Sequence, residues 1–151
     1  MSVHSRIQKP TKAFIGAAWA ALLTGSIGFA IGLINADMLL NEKGYYLTLL
    51  LFGLFACVSL QKSVRDRQEG IPVTALYYGI CWMAVLLSIL LLGIGLWNAS
   101  LELSEKGFYA MAFLLSLFGA ITVQKNIRDL TFFPNEDELF NAKEPEHGLR
   151  I

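Results

Sequence analysis

Histidine is nearly absent from this chain, and the two that occur, His4 and His147, lie in polar terminal segments. Ligation of haem or of a paired metal centre by histidine inside a membrane is therefore not expected, and no cofactor is implied. Cysteine is equally sparse. Cys57 and Cys81 both fall within apolar stretches and have no CxxC or Cys/His spacing, so neither a disulfide framework nor a zinc site is expected. They read as small apolar packing residues. Excess charge of one sign is also missing: 12 Lys and Arg balance 12 Asp and Glu, which leaves no overall bias toward nucleic acid. The most informative absence is local. Four long stretches, 13–34, 44–60, 73–97 and 107–123, contain no Asp, Glu, Lys, Arg or His at all.

What fills those stretches is apolar. With 55% hydrophobic residues over 151 positions and a mean hydropathy of +0.53, the chain belongs to the membrane class rather than among soluble domains. A helix needs about 20 apolar residues to cross the hydrocarbon core, with roughly 17 as the lower limit. The first and third stretches span comfortably, and the second and fourth sit at the short end. The expected fold is all-α and integral to a membrane, with four transmembrane helices.

Polar turns extend the two shorter stretches. "LNEKGYY" and "LSEKGFY" offer Asn41 or Ser104 as N-caps, with Glu42 or Glu105 in the first turn, where the positive end of the helix dipole favours an anion. At the far ends stand "QKSVRD", Gln61 to Asp66, and "QKNIRD", Gln124 to Asp129. These carry the helix into the headgroup layer, where Lys and Arg snorkel.

Basic residues set the orientation. Arg6, Lys9 and Lys12 precede the first span, Lys62, Arg65 and Arg67 flank the middle connection, and Lys125, Arg128, Lys143 and Arg150 follow the last span. The two remaining connections hold only Lys43 and Lys106. Both termini and the middle connection are expected on the cytoplasmic side. The basic start, "MSVHSRIQKPTK", reads as retained, because the apolar run behind it is too long for a signal-peptide core and ends in no small-residue cleavage site.

The chain repeats itself. An offset of 63 residues maps Trp19 to Trp82, Gly32 to Gly95, Asn35 to Asn98, Glu42 to Glu105, Tyr46 to Tyr109 and Arg65 to Arg128 without a gap. One register across two spans and their connection indicates duplication of a two-helix hairpin. Each copy has an even number of spans, so the copies enter from the same side as parallel repeats. The expected organisation is a cytoplasmic N-terminus over 1–12, a first repeat over 13–66, a cytoplasmic linker over 67–72, a second repeat over 73–129 and a cytoplasmic acidic tail over 130–151.

The segments "GLINADMLLNEKGYYLTLLLFGLFACVSLQKSVRDRQEGIP" and "GLWNASLELSEKGFYAMAFLLSLFGAITVQKNIRD" resemble the two copies of the two-helix domain in the YiaA/YiaB family of bacterial inner-membrane proteins. The resemblance runs from the first span through Asp129, and the paired NEKGYY/SEKGFY and QKxxRD signatures carry it. It implies a four-span inner-membrane protein and brings no catalytic residues.

Two polar sets recur. In the first, Gln61, Lys62, Arg65 and Asp66 are matched by Gln124, Lys125, Arg128 and Asp129. As topological flanks they fix orientation and meet anionic lipid. As a buried cluster, Arg65 pairs with Asp129 and Arg128 with Asp66, sealing one end of the bundle. The flank comes first, since basic flanks are general, although topology needs charge and not this particular order. In the second set, Asn35, Glu42 and Lys43 are matched by Asn98, Glu105 and Lys106. Loop capping accounts for this set better than a ligand or cation site, since Asp37 is matched by Ser100 and a symmetric four-carboxylate site is unavailable.

Small residues suggest close helix approach: Gly28 and Gly32 with Ala17 and Ala21 in the first span, and Ala112, Ser116 and Ala120 in the fourth. The stripes suit intramolecular packing and a homodimer face equally. Trp19, Trp82 and Trp97 with the tyrosines mostly cluster near span ends, and an aromatic belt explains most of them. In the tail, Asn135 and Glu138 resemble a capping box for one short helix.

Catalysis finds no histidine, acid pair or nucleophile motif, and ion-coupled transport finds no ionisable residue at mid-membrane depth. The expectation is a non-enzymatic inner-membrane protein acting through helix packing, as a homo-oligomer or an accessory subunit. The alternative is an oligomeric transporter or channel for an uncharged solute, using Asn35, Asn98, Thr24 and Ser88. The lipid bilayer is the partner implied; no protein partner is identifiable.

Overall fold

A computed structural model describes residues 9–131, and over them the chain forms four α-helices: α1 Lys12–Asn35, α2 Leu40–Gln68, α3 Ala75–Asn98 and α4 Leu103–Thr131. All four are long and apolar enough to cross a membrane. The tail capping box, both histidines, and Arg6, Lys143 and Arg150 lie outside the described residues.

Helix length separates two pairs. At 24 residues, α1 and α3 extend about 36 Å, while the 29 residues of α2 and α4 extend about 43 Å. The hydrocarbon core is only about 30 Å thick. The surplus of α2 and α4 falls at the end opposite the short loops 36–39 and 99–102, so residues 61–68 and 124–131 project beyond the apolar runs. Thr11 and Thr74 cap α1 and α3, each accepting a hydrogen bond from the backbone N–H three residues on. The helix α2 stops at a turn in which Gly70 takes φ +76° and Ile71 N–H donates to the Asp66 carbonyl. The connection therefore runs over 69–74, with Pro72 excluding further helix.

One expectation needs correction. Asn41 and Ser104 do not cap α2 and α4, because both helices begin earlier, at Leu40 and Leu103. The start is fixed instead by the acids: Glu42 Oε2 accepts from the backbone N–H of Leu39 at 2.9 Å, and Glu105 Oε2 from that of Glu102 at 2.9 Å. A carboxylate reaching back three residues satisfies a free N–H at the positive end of the helix, which moves the boundary outward.

Packing crosses the repeats. Although α1 is joined to α2 by a short loop, its main neighbour is α4, and the main neighbour of α3 is α2; α2 and α4 meet along the middle. The four helices thus interlock around a pseudo-twofold axis between α2 and α4, with α1 and α3 outside. Bare backbone makes the α1/α4 seam tight. A Cβ on Gly25 would lie 2.7 Å from Ser116 N and 2.8 Å from the Ala112 carbonyl oxygen, and one on Gly119 would collide with the backbone N and Cα of Leu22. Of the small-residue positions read from the sequence, Ala112, Ser116 and Ala120 are buried within the chain, whereas Ala17 is exposed. Gly28 has no close neighbour beyond an ordinary contact with Phe108.

Phe29, Phe113, Tyr46, Tyr109, Leu49 and Leu50 fill the interior. Phe29 meets Tyr109 edge-on at 5.4 Å, and the Tyr46 and Tyr109 rings stack at 6.3 Å across the pseudo-axis. Large apolar side chains such as Phe14, Leu51, Phe55, Leu86 and Phe118 point outward, as lipid-facing residues do.

Candidate functional site: two polar ends of the bundle

The projecting ends of α2 and α4 lie side by side, and their sextets meet. Arg65 Nη2 donates to Asp129 Oδ1, and in the reciprocal pair Arg128 Nη1 donates to Asp66 Oδ1 at 3.0 Å. Each aspartate takes a second cation from its own helix one turn earlier: Lys62 donates to Asp66 at 2.6 Å and Lys125 to Asp129 at 2.8 Å. The i to i+4 spacing makes those contacts, and the pseudo-symmetry makes the crossing ones.

The duplication does not contain the whole network. Glu69, whose counterpart would be Phe132, accepts from Arg65 Nε at 3.2 Å and also pairs with Arg128 Nη2. Four cations therefore face three carboxylates. Glu69 is outside the set read from the sequence, although its place four residues after Arg65 on a continuing helix is a readable signal. The aspartates and arginines are the shielded members, with side chains 6–9% and 15–19% exposed, while Lys62 and Lys125 stay more than half exposed. Hydrogen bonds from Lys62, against the opposing effect of burial, hold the Asp66 carboxyl below its ordinary value, with Arg128 adding to the effect. At Asp129 burial opposes ionisation, but the bonds from Lys125 and Arg65 outweigh it and the carboxyl is again lowered. Both lie in the segments that project beyond the apolar runs.

Neither sextet glutamine enters this network; Gln61 Oε1 is buried without a hydrogen-bond partner. Two buried polar residues beside it were not singled out from the sequence. Ser63 donates to the Ser59 carbonyl and lies 3.5 Å from Cys81 Sγ, while its counterpart Asn126, 1% exposed, makes no side-chain hydrogen bond. Arg67 stands apart, its guanidinium 4.4 Å from the centre of the Tyr78 ring.

At the short-loop end the second repeated set binds backbone. Asn35 donates to the Ile31 carbonyl and Asn98 to that of Ile94, at 2.9 and 2.8 Å. Lys43 reaches back to the Ile34 carbonyl at 3.0 Å, and Lys106 to the Trp97 carbonyl at 3.4 Å. With Glu42 and Glu105 at the helix starts, each loop has side chains bonded to the backbone of both flanking helix ends. Next to the loops, Gly32 and Gly95 receive aromatic pairs from the opposite repeat: Phe108 and Tyr109 seat on Gly32, and Tyr45 and Tyr46 on Gly95. Tyr45 also donates to the Leu91 carbonyl at 2.7 Å, a bond Phe108 cannot make. Among the described residues, no three His, Cys, Asp or Glu side chains converge as a metal site would require.

A family model described as the yiaA/B two helix domain matches the chain twice, over residues 14–66 and 77–129. Inner membrane protein YiaA of Escherichia coli (strain K12) is 50% identical over 142 residues, which is 94% of this chain and 98% of that protein. The uncharacterized membrane protein YubF of Bacillus subtilis (strain 168) is 38% identical over 69 residues, 45% of this chain and 79% of its own. Inner membrane protein YiaB of Escherichia coli (strain K12) is 30% identical over 97 residues, 64% of this chain and 82% of its own. No solved structure matches.

Proposed function

This chain belongs to the YiaA/YiaB two-helix-domain family and is a multi-pass inner-membrane protein, and from that premise we propose that it acts without catalysis, as a closed helical unit working through its surfaces. The observation that carries this reading is the filled interior. Phe29 and Phe113 are fully buried, and helix backbones approach so closely at Gly25 and Gly119 that a single methyl has no room. A solute pathway through one chain would need a continuous polar cavity in that place. Relatives are named for residence in the membrane and for no reaction.

The orientation belongs to the same reading: the ion-pair end and both termini face the cytoplasm, supported by the clustering of Lys62, Arg65, Arg67, Lys125 and Arg128 at one end. In this reading the working form is a homo-oligomer or an accessory subunit of a larger assembly.

Osmotic swelling of proteoliposomes tests the closed unit. Vesicles containing the purified protein are expected to take up glycerol and urea at the rate of empty vesicles; a faster, protein-dependent rate would move the protein to the transport class.

A further inference from the structure

The short-loop end contains two cavities at places related by the 63-residue offset. The larger, about 760 Å³, lies between loop 36–39, the start of α2 and the end of α3; the smaller, about 320 Å³, lies between the end of α1 and the start of α4. Both fall in the range of roughly 300–1,000 Å³ over which proteins hold small ligands. Each is built across the repeats on a glycine, Gly95 or Gly32, with an aromatic pair against it.

Their chemistry differs. The smaller has Phe108 and Tyr109 with one charged residue, Glu105. The larger has Tyr45 and Tyr46, edge-on to one another at 5.2 Å, and three charged side chains: Asp37, Glu42 and Lys43. Glu42 uses one carboxylate oxygen on the Leu39 N–H, and Lys43 uses one of its three donors on the Ile34 carbonyl. Capacity therefore remains on both. Two carboxylates suit a cation, and an ammonium group beside them suits an anion, so the lining complements a zwitterion.

The surroundings give the depth. Leu39, which lines the larger cavity, is 68% exposed, and Leu40 and Trp97, next in the chain to the lining residues Leu39 and Asn98, are 86% and 85% exposed. Such a collar belongs at the membrane interface, which places the mouth at headgroup level. We propose that the larger cavity is a docking site for the ethanolamine phosphate headgroup of a phospholipid. The ammonium sits toward Asp37 and Glu42, beside Tyr45, the phosphate toward Lys43, and the acyl chains descend past Leu39 and Leu40. A primary ammonium fits better than a quaternary one because the carboxylates accept N–H donors. This assignment concerns what occupies one end of the bundle, and it stands whether or not the unit conducts a solute.

Lipid-stripped full-length protein in detergent, titrated with dioctanoyl phosphatidylethanolamine or dioctanoyl phosphatidylglycerol and read by native mass spectrometry, tests the site. The ethanolamine lipid is expected to bind one per chain, about tenfold tighter than the glycerol lipid. The double variant Asp37→Asn, Glu42→Gln is expected to lose about that factor, while Glu105→Gln at the smaller cavity binds as wild type. The amide oxygen that Glu42→Gln introduces still accepts from Leu39 N–H, so the loop keeps its staple; if the double variant melts early, Asp37→Asn alone is read instead. Equal binding of both lipids, or wild-type binding by the folded charge variant, overturns the proposal. So does free phosphoethanolamine binding as tightly as the lipid, which would make this a site for a soluble solute.

Discussion

Arg65 and Asp129 stand 64 residues apart in the chain and are hydrogen-bonded across the contact between α2 and α4, with Arg128 and Asp66 returning the same bond in the opposite sense. The two sextets are halves of one clasp at the end of the bundle.

Reversing charge in that clasp separates pairing from flanking. Arg65→Asp or Asp129→Arg alone is expected to cost about 3 kcal/mol, the low end for breaking a shielded ion pair, because each leaves a charge facing its like. The double variant should recover at least part of that loss in thermal unfolding of the detergent-solubilised protein. Additive losses would mean that the two side chains are independent.

Acid should loosen the same end. Asp66 and Asp129 ionise more readily in the folded protein than the ordinary value of 3.8, so their contribution to stability is present above that value and is lost as pH falls through the lowered folded values. The unfolding midpoint is expected to be flat near neutrality and to drop below about pH 4. With both aspartates changed to Asn, that acid-dependent drop should shrink.

The α1/α4 seam predicts opposite signs for one substitution. Gly119→Ala and Gly25→Ala place a methyl against backbone atoms of the neighbouring helix and are expected to destabilise by about 1–3 kcal/mol. Gly79→Ala and Gly93→Ala meet nothing within 4 Å and should be neutral or stabilising by up to about 1 kcal/mol, since alanine is the better helix former. Unfolding midpoints of the four variants decide it.

Orientation can be read from single cysteines, because Cys57 and Cys81 are buried. A membrane-impermeant maleimide applied to intact spheroplasts is expected to label Glu102→Cys and not Gln68→Cys, and inverted vesicles should give the reverse. Both positions are exposed beyond the apolar runs.

Because α1 leans on α4 and α3 on α2, neither repeat holds its own main interface. Residues 1–72 and 73–151 made as separate chains are expected to co-purify when expressed together and to be degraded when expressed alone. Independent accumulation of either half would show that the hairpins fold singly.

Much of this protein follows from its sequence. Four uncharged apolar stretches dictate four spans, because an unpaired charge or an unsatisfied backbone group is costly in hydrocarbon and a helix satisfies its own backbone. The 63-residue register reveals the duplication, and the i to i+4 spacing within QKxxRD puts Lys62 beside Asp66 and Lys125 beside Asp129. Asn41 and Ser104 read as caps because Asn and Ser are strong cap formers, whereas here an acid in the first turn outcompetes them. Tertiary structure alone decided which helices touch. In a bilayer the lipid is as apolar as the helix surfaces, so hydrophobicity cannot choose partners. Shape chooses them instead: Gly25 and Gly119 admit α1 to α4, Gly32 and Gly95 seat aromatic pairs from the opposite repeat, and the result brings Arg65 to Asp129. That choice depends on atoms distant in the chain, which no local pattern of residues contains.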